Sequence, residues 1–286
     1  MLKKVLIIGA VLGIGIALYL KFYFFSMPRN YGHVEVELFL AASEDQPLIV
    51  AFGGSEGGNV LASDQLKQER DKFLARGYAF LAVGYFGTKN TPSSLDRISL
   101  NAIHDSIVST IGKHPRINKN KIALFGGSRG GELVLNLASR YRDYDAVVAI
   151  VPSNVSLPTR WGWGATSSWS FFDKEVPYLS NAKASKPGVS DEFYDKLSSM
   201  LEDEQAVSQA AIPVERINGP ILLLSAKNDE VWPSTLMCNQ IVERLKSKHF
   251  NHYFEHIPLE GSHAASVQNQ QYTFDFLEKH FRSSKL

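Results

Sequence analysis

The alternation of strand-like and helix-like segments predicts an α/β fold whose mostly parallel sheet is covered by helices on both faces. Several short runs are almost wholly apolar, which is typical of strands buried on both sides of a sheet. Amphipathic stretches at residues 64–76 and 94–112 are long enough to be crossover helices between them. The buried strands are expected at residues 47–52, 78–83, 122–125, 147–151 and 220–225, and a half-buried edge strand at residues 33–40.

The most specific motif is Gly126-x-Ser128-x-Gly130, which lies between an apolar strand and a helical pattern. This is the nucleophile-elbow layout of α/β hydrolases, in which a sharp strand-to-helix turn lifts one serine hydroxyl above the sheet. Glycines flank the serine because a Cβ there would clash with the neighbouring strand or helix. The motif predicts an α/β-hydrolase fold with Ser128 as nucleophile. A glycine-rich phosphate loop or a plain tight turn would also match these few residues.

A serine nucleophile needs a base, and the base needs an acid that orients it. In α/β hydrolases these follow the serine in the order acid, then histidine. Asp229 lies in the loop after the strand at 220–225, with Glu230 as its rival, and His263 follows a strand at 253–257. We therefore expect Ser128, Asp229 and His263 to form a catalytic triad. Packed or solvated positions are expected for His104, His114, His249, His252, His256 and His280.

An oxyanion hole requires two backbone N–H donors, one of which belongs to the residue after the nucleophile. Arg129 supplies that donor. The second is expected from Gly54 or Ser55, because the strand at 47–52 runs directly into the glycine-rich loop 53–58. By itself this loop could also cradle a phosphate.

Composition limits the remaining functional classes. The chain has 286 residues, which is enough for one large α/β core, and its formal net charge of +1 favours neither nucleic acid nor a strongly acidic partner. Cys238 is the only cysteine, so no disulfide can form within the chain. No metal-ligand spacing is present, and we expect neither a metal nor another cofactor.

The N-terminal segment predicts attachment to a membrane. Residues 5–20 carry no charge, and the apolar character resumes at residues 22–25 after Lys21. Residues 1–26 are therefore expected to be an uncleaved transmembrane signal anchor. Lys3 and Lys4 would stay cytoplasmic, which places the catalytic domain on the non-cytoplasmic side. A cleaved signal peptide and a buried core helix are the alternatives.

The hydrolase domain is expected at residues 33–286, with a cap-like insertion at about 153–217 where the alternation stops. The insertion contains Trp161, Trp163 and Trp169, and a helix is expected at about residues 191–209. If it covers the elbow, these tryptophans would line an apolar substrate pocket. Alternatively, they only hold the cap onto the core.

Five segments resemble the acyl-CoA thioesterase and bile acid-CoA:amino acid N-acyltransferase C-terminal domain family. They are residues 128–133, 149–154, 212–220, 228–234 and 261–263, and the similarity extends over about residues 34–282. The resemblance implies the same triad. In that family the nucleophile is serine in thioesterases and typically cysteine in the amidating acyltransferases, so Ser128 favours hydrolysis.

The sequence therefore predicts a serine acyl hydrolase that acts through an acyl-enzyme, most simply on a small-molecule acyl thioester. A carboxylic-ester hydrolase on the same scaffold is the alternative. Acyl transfer to an amine acceptor and a catalytically inactive binding module are further alternatives, and no nucleic-acid partner is expected.

Overall fold

The computed structural model of the protein describes residues 12–18, 26–159, 164–180, 192–268 and 270–282. The strands are β1 (Glu35–Phe39), β2 (Gln46–Phe52), β3 (Ala79–Gly84), β4 (Ile98–Ser99), β5 (Ile117–Gly127), β6 (Ala146–Ile150), β7 (Trp169–Phe171), β8 (Lys174–Glu175), β9 (Ile221–Ala226) and β10 (Phe254–Leu259). The helices are α1 (Lys67–Ala75), α2 (Leu100–Lys113), α3 (Arg129–Ala138), α4 (Phe193–Met200), α5 (Glu204–Ala210), α6 (Ser234–Ser247), α7 (His263–Gln268) and α8 (Gln271–Phe276). Short 3₁₀ turns occupy Val60–Ala62, Asp64–Leu66 and Val214–Arg216, and a π-helical turn occupies Leu277–Arg282.

Seven strands form the main sheet in the order β1-β3-β2-β5-β6-β9-β10. Only the edge strand β1 runs antiparallel to its neighbour, β3, and the other pairs are parallel. The predicted α/β fold with a mostly parallel sheet is confirmed.

The sheet separates two apolar layers, because successive side chains of a strand point to opposite faces. Along β2, Leu48 and Val50 pack into one layer and Ile49 into the other. Helices α2, α3 and α6 contribute to the first layer, whereas α1 and the C-terminal helices contribute to the second. All residues of β3, β6 and β9 are buried, as continuous apolar runs predict.

The topology brings the predicted site segments to one edge of the sheet. Strands β2, β5, β6, β9 and β10 are all parallel, so their carboxyl ends lie at the same edge. The glycine-rich loop follows β2, Ser128 follows β5, Asp229 lies beyond β9 and His263 lies beyond β10. Ligands of open α/β sheets bind at this edge.

One predicted helix boundary is wrong, and one predicted helix is in fact two. The helix expected at 94–112 begins at Leu100, because the Ser99 hydroxyl accepts the Ala102 N–H at 3.2 Å and caps it. The helix expected at about 191–209 is split into α4 and α5, since Asp203 begins a second helix by accepting the Ala206 N–H at 3.1 Å.

The insertion between β6 and β9 packs closely on the rest of the chain. Its strand β7 pairs with β4 and with β8 in a small second sheet. Its buried side chains form a third apolar cluster with Trp232 and Met237, which lie beyond β9. Residues 160–163 and 181–191 of the insertion lie outside the described residues.

Most of the predicted anchor, residues 1–26, lies outside the described residues. Within it, residues 12–18 are described and are helical. Across the ranges given above, no helix combines the length and the apolar character needed to cross a membrane. The anchor and the location of the domain stay predictions.

Candidate active site

Ser128 occupies a strained turn between β5 and α3. Its backbone angles are φ 56° and ψ −121°, a region that side-chain-bearing residues rarely adopt and that costs on the order of 1–3 kcal/mol. The turn is held because the Ser128 N–H donates to the Ile150 carbonyl at 2.9 Å, and its own carbonyl accepts the Glu132 N–H at 3.1 Å. Strain that the surroundings enforce in this way is a common feature of functional sites.

The two motif glycines are required by close backbone contacts. A Cβ on Gly126 would lie 2.3 Å from the Gly130 carbonyl oxygen, and one on Gly130 would lie 2.5 Å from the Gly53 carbonyl oxygen. No side chain fits at such distances. The glycines therefore let β5, α3 and the loop after β2 approach one another around Ser128.

The loop after β2 places Gly54 directly beside the serine. A Cβ on Gly54 would be 3.2 Å from the Ser128 Cβ, whereas the neighbouring Ser55 is exposed. The Gly54 N–H donates to the carboxylate of Glu56 at 2.8 Å. The fully buried Tyr85 donates its hydroxyl hydrogen to the Gly53 carbonyl at 2.7 Å and so helps to fix the loop. Glu56 was not predicted, and its carboxylate shows that an anionic oxygen can sit on the Gly54 N–H.

Asp229 and His263 form a buried pair. The His263 Nδ1 lies 2.9 Å from each carboxylate oxygen of Asp229. Asp229 also accepts the N–H groups of Val231 at 3.0 Å and Trp232 at 3.1 Å. Burial by itself raises the pKa of Asp229, but hydrogen bonds from His263 and the Trp232 amide outweigh it, so the pKa lies below the ordinary value. The carboxylate is thus ionised and orients the imidazole.

The rival acid, Glu230, contacts the backbone of His263 and not its ring. Its carboxylate accepts the His263 N–H at 3.0 Å, and its side chain is exposed. His263 is the first residue of α7, so this contact holds the start of that helix.

The serine and the histidine belong to one contiguous set of contacts, although within the described part of the chain no hydrogen bond joins the Ser128 hydroxyl to the His263 ring. Trp232 stands edge-on to His263, with ring centroids 5.1 Å apart, and its indole N–H donates to the Val151 carbonyl at 3.1 Å. The preceding Ile150 carbonyl binds the Ser128 N–H. In enzymes without substrate, the hydrogen bond between a catalytic nucleophile and its base is often long, and it shortens when substrate binds.

A buried charge network lies behind the elbow and was not predicted. The Arg129 guanidinium pairs with Glu132 at 2.6 Å and donates to Ser168, and both charged side chains are almost fully buried. Glu132 also accepts the Trp169 indole N–H and, at 2.9 Å, the Leu157 N–H. Burial raises the pKa of Glu132 although Arg129 opposes this. The signal in the sequence was Glu132, a charged residue directly before the apolar residues 133–135 of a helical pattern.

This network ties the insertion to the elbow, because Leu157, Ser168 and Trp169 all belong to the insertion. Trp169 is completely buried and packs on Tyr85 with ring centroids 6.0 Å apart. Its burial favours a role in packing over contact with a substrate. Trp161 and Trp163, also predicted to line a pocket, lie outside the described residues.

The carboxyl-end site contains no grouping suited to a metal: among the residues with described positions, no three histidine, cysteine, aspartate or glutamate side chains cluster as ligands would. Cys238 is fully buried on α6, and burial raises the pKa of its thiol. The arrangement is instead one of a strained serine, a histidine–carboxylate pair and backbone donors, which is the equipment for acyl transfer.

Several known proteins resemble this chain in sequence. Human acyl-coenzyme A thioesterase 6 is 29% identical over 225 residues, which cover 77% of this chain and 49% of that protein. Mouse mitochondrial acyl-coenzyme A thioesterase 2 is 29% identical over 227 residues, with 77% and 46% covered. The chain thus spans about half the length of the curated relatives it matches.

Solved structures show the fold. The acylaminoacyl peptidase of Pyrococcus horikoshii superimposes with a TM-score of 0.61 at 15% identity and covers 88% of this chain and 40% of its own. A puromycin-hydrolyzing peptidase of Mycobacterium tuberculosis gives 0.55 at 20% identity and covers 82% and 35%. At such identities the similarity concerns the fold alone.

Family models cover both halves of the chain. Residues 35–156 match a family described as an alpha/beta hydrolase of unknown function. Residues 105–266, more than half of the chain, match the model described as BAAT / Acyl-CoA thioester hydrolase C terminal. The latter match includes Ser128, Asp229 and His263. The chain belongs to the BAAT / acyl-CoA thioester hydrolase C-terminal family, within the α/β-hydrolase fold.

Proposed function

We propose that this protein is a serine hydrolase that cleaves acyl thioesters of the acyl-CoA type through an acyl-enzyme on Ser128. The observation that carries the proposal is the strained Ser128 turn, with the Gly54 N–H beside it and the N-terminus of α3 beneath it. The family match and the thioesterase relatives support a thioester as the bond that is cleaved.

In the first step, His263 takes the proton of the Ser128 hydroxyl as the oxygen attacks the thioester carbonyl carbon. The ionised Asp229 accepts the Nδ1–H of His263 and stabilises the imidazolium that forms. The carbonyl oxygen becomes an oxyanion, which the N–H groups of Arg129 and Gly54 would bind. The positive end of the α3 dipole points at the same place and favours the negative charge.

In the second step, the tetrahedral intermediate collapses and the carbon–sulfur bond breaks. The leaving sulfur takes the proton from His263, so a thiol departs and the acyl group stays on Ser128 as an ester. A water molecule then repeats the attack with His263 as base. The products are the free carboxylic acid and the regenerated hydroxyl of Ser128.

Glu56 has to leave its present position before the first step. Its carboxylate accepts the Gly54 N–H at 2.8 Å and so occupies the place of the substrate oxygen. Its side chain is exposed and can turn toward solvent. Substrate binding therefore includes the displacement of one carboxylate from a backbone donor.

The proposal is tested by comparing acyl-CoAs with p-nitrophenyl esters of the same acyl groups on the purified full-length chain, by kcat/KM. We expect higher kcat/KM for acyl-CoAs, covalent labelling by a fluorophosphonate, and a loss of about 10³-fold or more in kcat for Ser128→Ala. The matched control is Ser109→Ala, an exposed serine on α2.

Two results would contradict the proposal in different ways. A preference for the p-nitrophenyl esters would keep the serine mechanism but assign the enzyme to carboxylic-ester hydrolysis. Turnover by Ser128→Ala close to that of the wild type, on every substrate that the wild type cleaves, would exclude the acyl-enzyme itself.

A further inference from the structure

An open cleft of about 650 Å³ lies at the C-terminal end of α3, at the opposite end of that helix from Ser128. We call it the arginine cleft, because the side chains of Arg140, Arg142 and Arg216 line it. The first two follow α3, and the third comes from the 3₁₀ turn before β9. Residues far apart in the sequence therefore bring three guanidinium groups to one cavity.

The three arginines of the arginine cleft form no ion pair with the described residues. Arg140 donates to the Asn136 carbonyl and side-chain oxygens, both at 2.8 Å, and to the Ser139 hydroxyl at 3.2 Å. Arg142 donates to the Asn218 side chain at 3.1 Å. None of these acceptors is a carboxylate.

The third arginine and the nearest carboxylate complete this picture. The Arg216 side chain makes neither an ion pair nor a hydrogen bond with the described residues. Glu215 is the only acidic side chain lining the cleft there, and it is bound by Arg244 through two hydrogen bonds of 2.6 and 2.8 Å. The hydrogen bonds from Arg244, and also the charge of Arg216, lower the pKa of Glu215, but the hydrogen bonds of that carboxylate go to Arg244, so the three guanidinium groups of the cleft can still donate to a ligand.

The positive groups of the arginine cleft disfavour one another's charged forms. Burial, and then the positive charge of Arg216, lower the pKa of Arg140 to about 10. Burial and the charge of Arg142 lower the pKa of His252, which also lines the cleft. A bound anion would relieve this repulsion, because an opposite charge within about 4–6 Å favours the charged form of each group.

Aromatic side chains form part of the wall. Tyr141 and Phe171 line the cleft and meet edge to face with centroids 5.9 Å apart, and the Arg140 guanidinium lies 5.7 Å from the Phe171 ring. A guanidinium group can donate two parallel N–H hydrogen bonds to the oxygens of one phosphoryl group, and aromatic rings stack on the flat heterocycle of a nucleotide base. A cavity of this volume is also much larger than one phosphate ion needs.

We propose that the arginine cleft binds a nucleotide, with the arginines on its phosphoryl groups and its base against the aromatic wall. This site is separate from the candidate acyl site. Helix α3 has 10 residues and is about 15 Å long, and the residues lining the cleft include neither Ser128 nor Asp229 nor His263. The inference goes beyond the proposed hydrolysis and does not depend on it.

The test is a calorimetric titration of the full-length protein with ADP, inorganic phosphate and adenosine. ADP should bind at one saturable site, and adenosine should not bind measurably, because the phosphoryl groups carry the recognition. Arg142→Gln and Arg216→Gln should each weaken ADP binding by about tenfold or more. The matched control is Arg29→Gln, which removes an exposed arginine outside the cleft and should leave ADP binding as it is.

Arg140 is not used for the test, because its hydrogen bonds to Asn136 complete the end of α3. Circular dichroism of both variants checks that they are folded. Protein labelled on Ser128 by a fluorophosphonate should still bind ADP, and if labelling fails, the unlabelled protein still tests the cleft.

Three results would overturn the proposal. The first is no ADP binding, or binding that both arginine variants retain. The second is equal affinity for inorganic phosphate and ADP, which would leave a plain anion site. The third is loss of ADP binding after fluorophosphonate labelling, which would place the nucleotide in the acyl site.

Discussion

The two ends of α3 differ in what surrounds them: backbone groups at the N-terminal end and charged side chains at the C-terminal end. At the N-terminal end, Ser128 is surrounded by backbone: carbonyls and N–H groups of four segments approach within the space that only glycines leave. At the C-terminal end, long charged side chains from two segments surround an open cavity, and Arg140 donates to a carbonyl of the last turn.

The difference concerns what a mutation can change. A side-chain substitution cannot remove a backbone contact. At the N-terminal end of α3, a substitution should therefore either lower the stability of the fold or remove a group that reacts. The Arg142 and Arg216 side chains of the arginine cleft can be replaced with little effect on the fold, because both are exposed. One helix thus joins a rigid site to an adjustable one.

The largest effect is expected at the Ser128 end, when the negative charge that orients His263 is removed. Asp229→Asn should lower kcat by about 10³–10⁴-fold, because the amide disfavours the imidazole tautomer that accepts the serine proton. Glu230→Gln is the matched control and should cost less than about tenfold, since Glu230 contacts only the His263 backbone. Steady-state hydrolysis measures both, and equal losses would refute the assignment of the acid.

A second test compares two glycine-to-alanine substitutions. Gly130→Ala should destabilise the protein by more than about 2 kcal/mol, because the added Cβ would lie 2.5 Å from a backbone oxygen. Gly112→Ala, in α2, meets nothing within 4 Å and should stabilise the protein by about 0.5–1 kcal/mol through helix propensity. Thermal unfolding measures both. Equal melting temperatures would show that the elbow is not constrained by backbone packing.

A smaller effect is expected when the carboxylate on the Gly54 N–H is removed. Glu56→Ala should raise kcat/KM by about 2–10-fold, because substrate no longer competes with Glu56 for the donor. Glu44→Ala is the control, as its exposed carboxylate pairs with Arg116 at 3.4 Å. A fall in kcat/KM for Glu56→Ala alone would mean that this carboxylate assists the reaction.

The smallest effect concerns the acid beside the arginine cleft. The paired hydrogen bonds from Arg244 lower the pKa of Glu215 although burial opposes this. A lowered folded-state pKa stabilises the protein above the unfolded value of about 4.3, and this stabilisation is lost as pH falls through the folded value. Glu215→Gln should therefore lower the free energy of unfolding by about 0.5–1 kcal/mol at pH 7.

Denaturant unfolding at several pH values measures this difference, with Glu44→Gln as the control. The loss in Glu215→Gln should be constant above about pH 5 and should vanish as Glu215 of the wild type becomes protonated. A loss that persists at the lowest pH would show that packing, and not charge, holds this pair.

Much of the fold was predictable because its signals are local. Uninterrupted apolar runs are compatible with strands buried on both faces, and the glycine spacing around Ser128 has few other uses. The split between α4 and α5 was missed, since Asp203 reads as one polar residue within a continuing helical pattern. The start of α2 was missed because Ser99, which ends β4 and caps α2, also lies within a continuing helical pattern.

The surroundings of the candidate site were less predictable. That Glu56 turns back onto Gly54 depends on the path of a glycine-rich loop, which many sequences of that composition could take differently. That Trp169 binds Glu132 depends on how the insertion folds over α3. Neither contact leaves a periodic trace in the sequence.

By itself, the sequence determined the order of the main-sheet strands and the position of Ser128 between a strand and a helix, because neighbouring residues and backbone sterics are sufficient for both. Only the tertiary structure decided which carboxylate meets His263, 34 residues further along the chain, and which arginines share a cleft. Such contacts depend on the order of strands in the sheet and on the packing of loops at its edges, and local patterns carry no information about either.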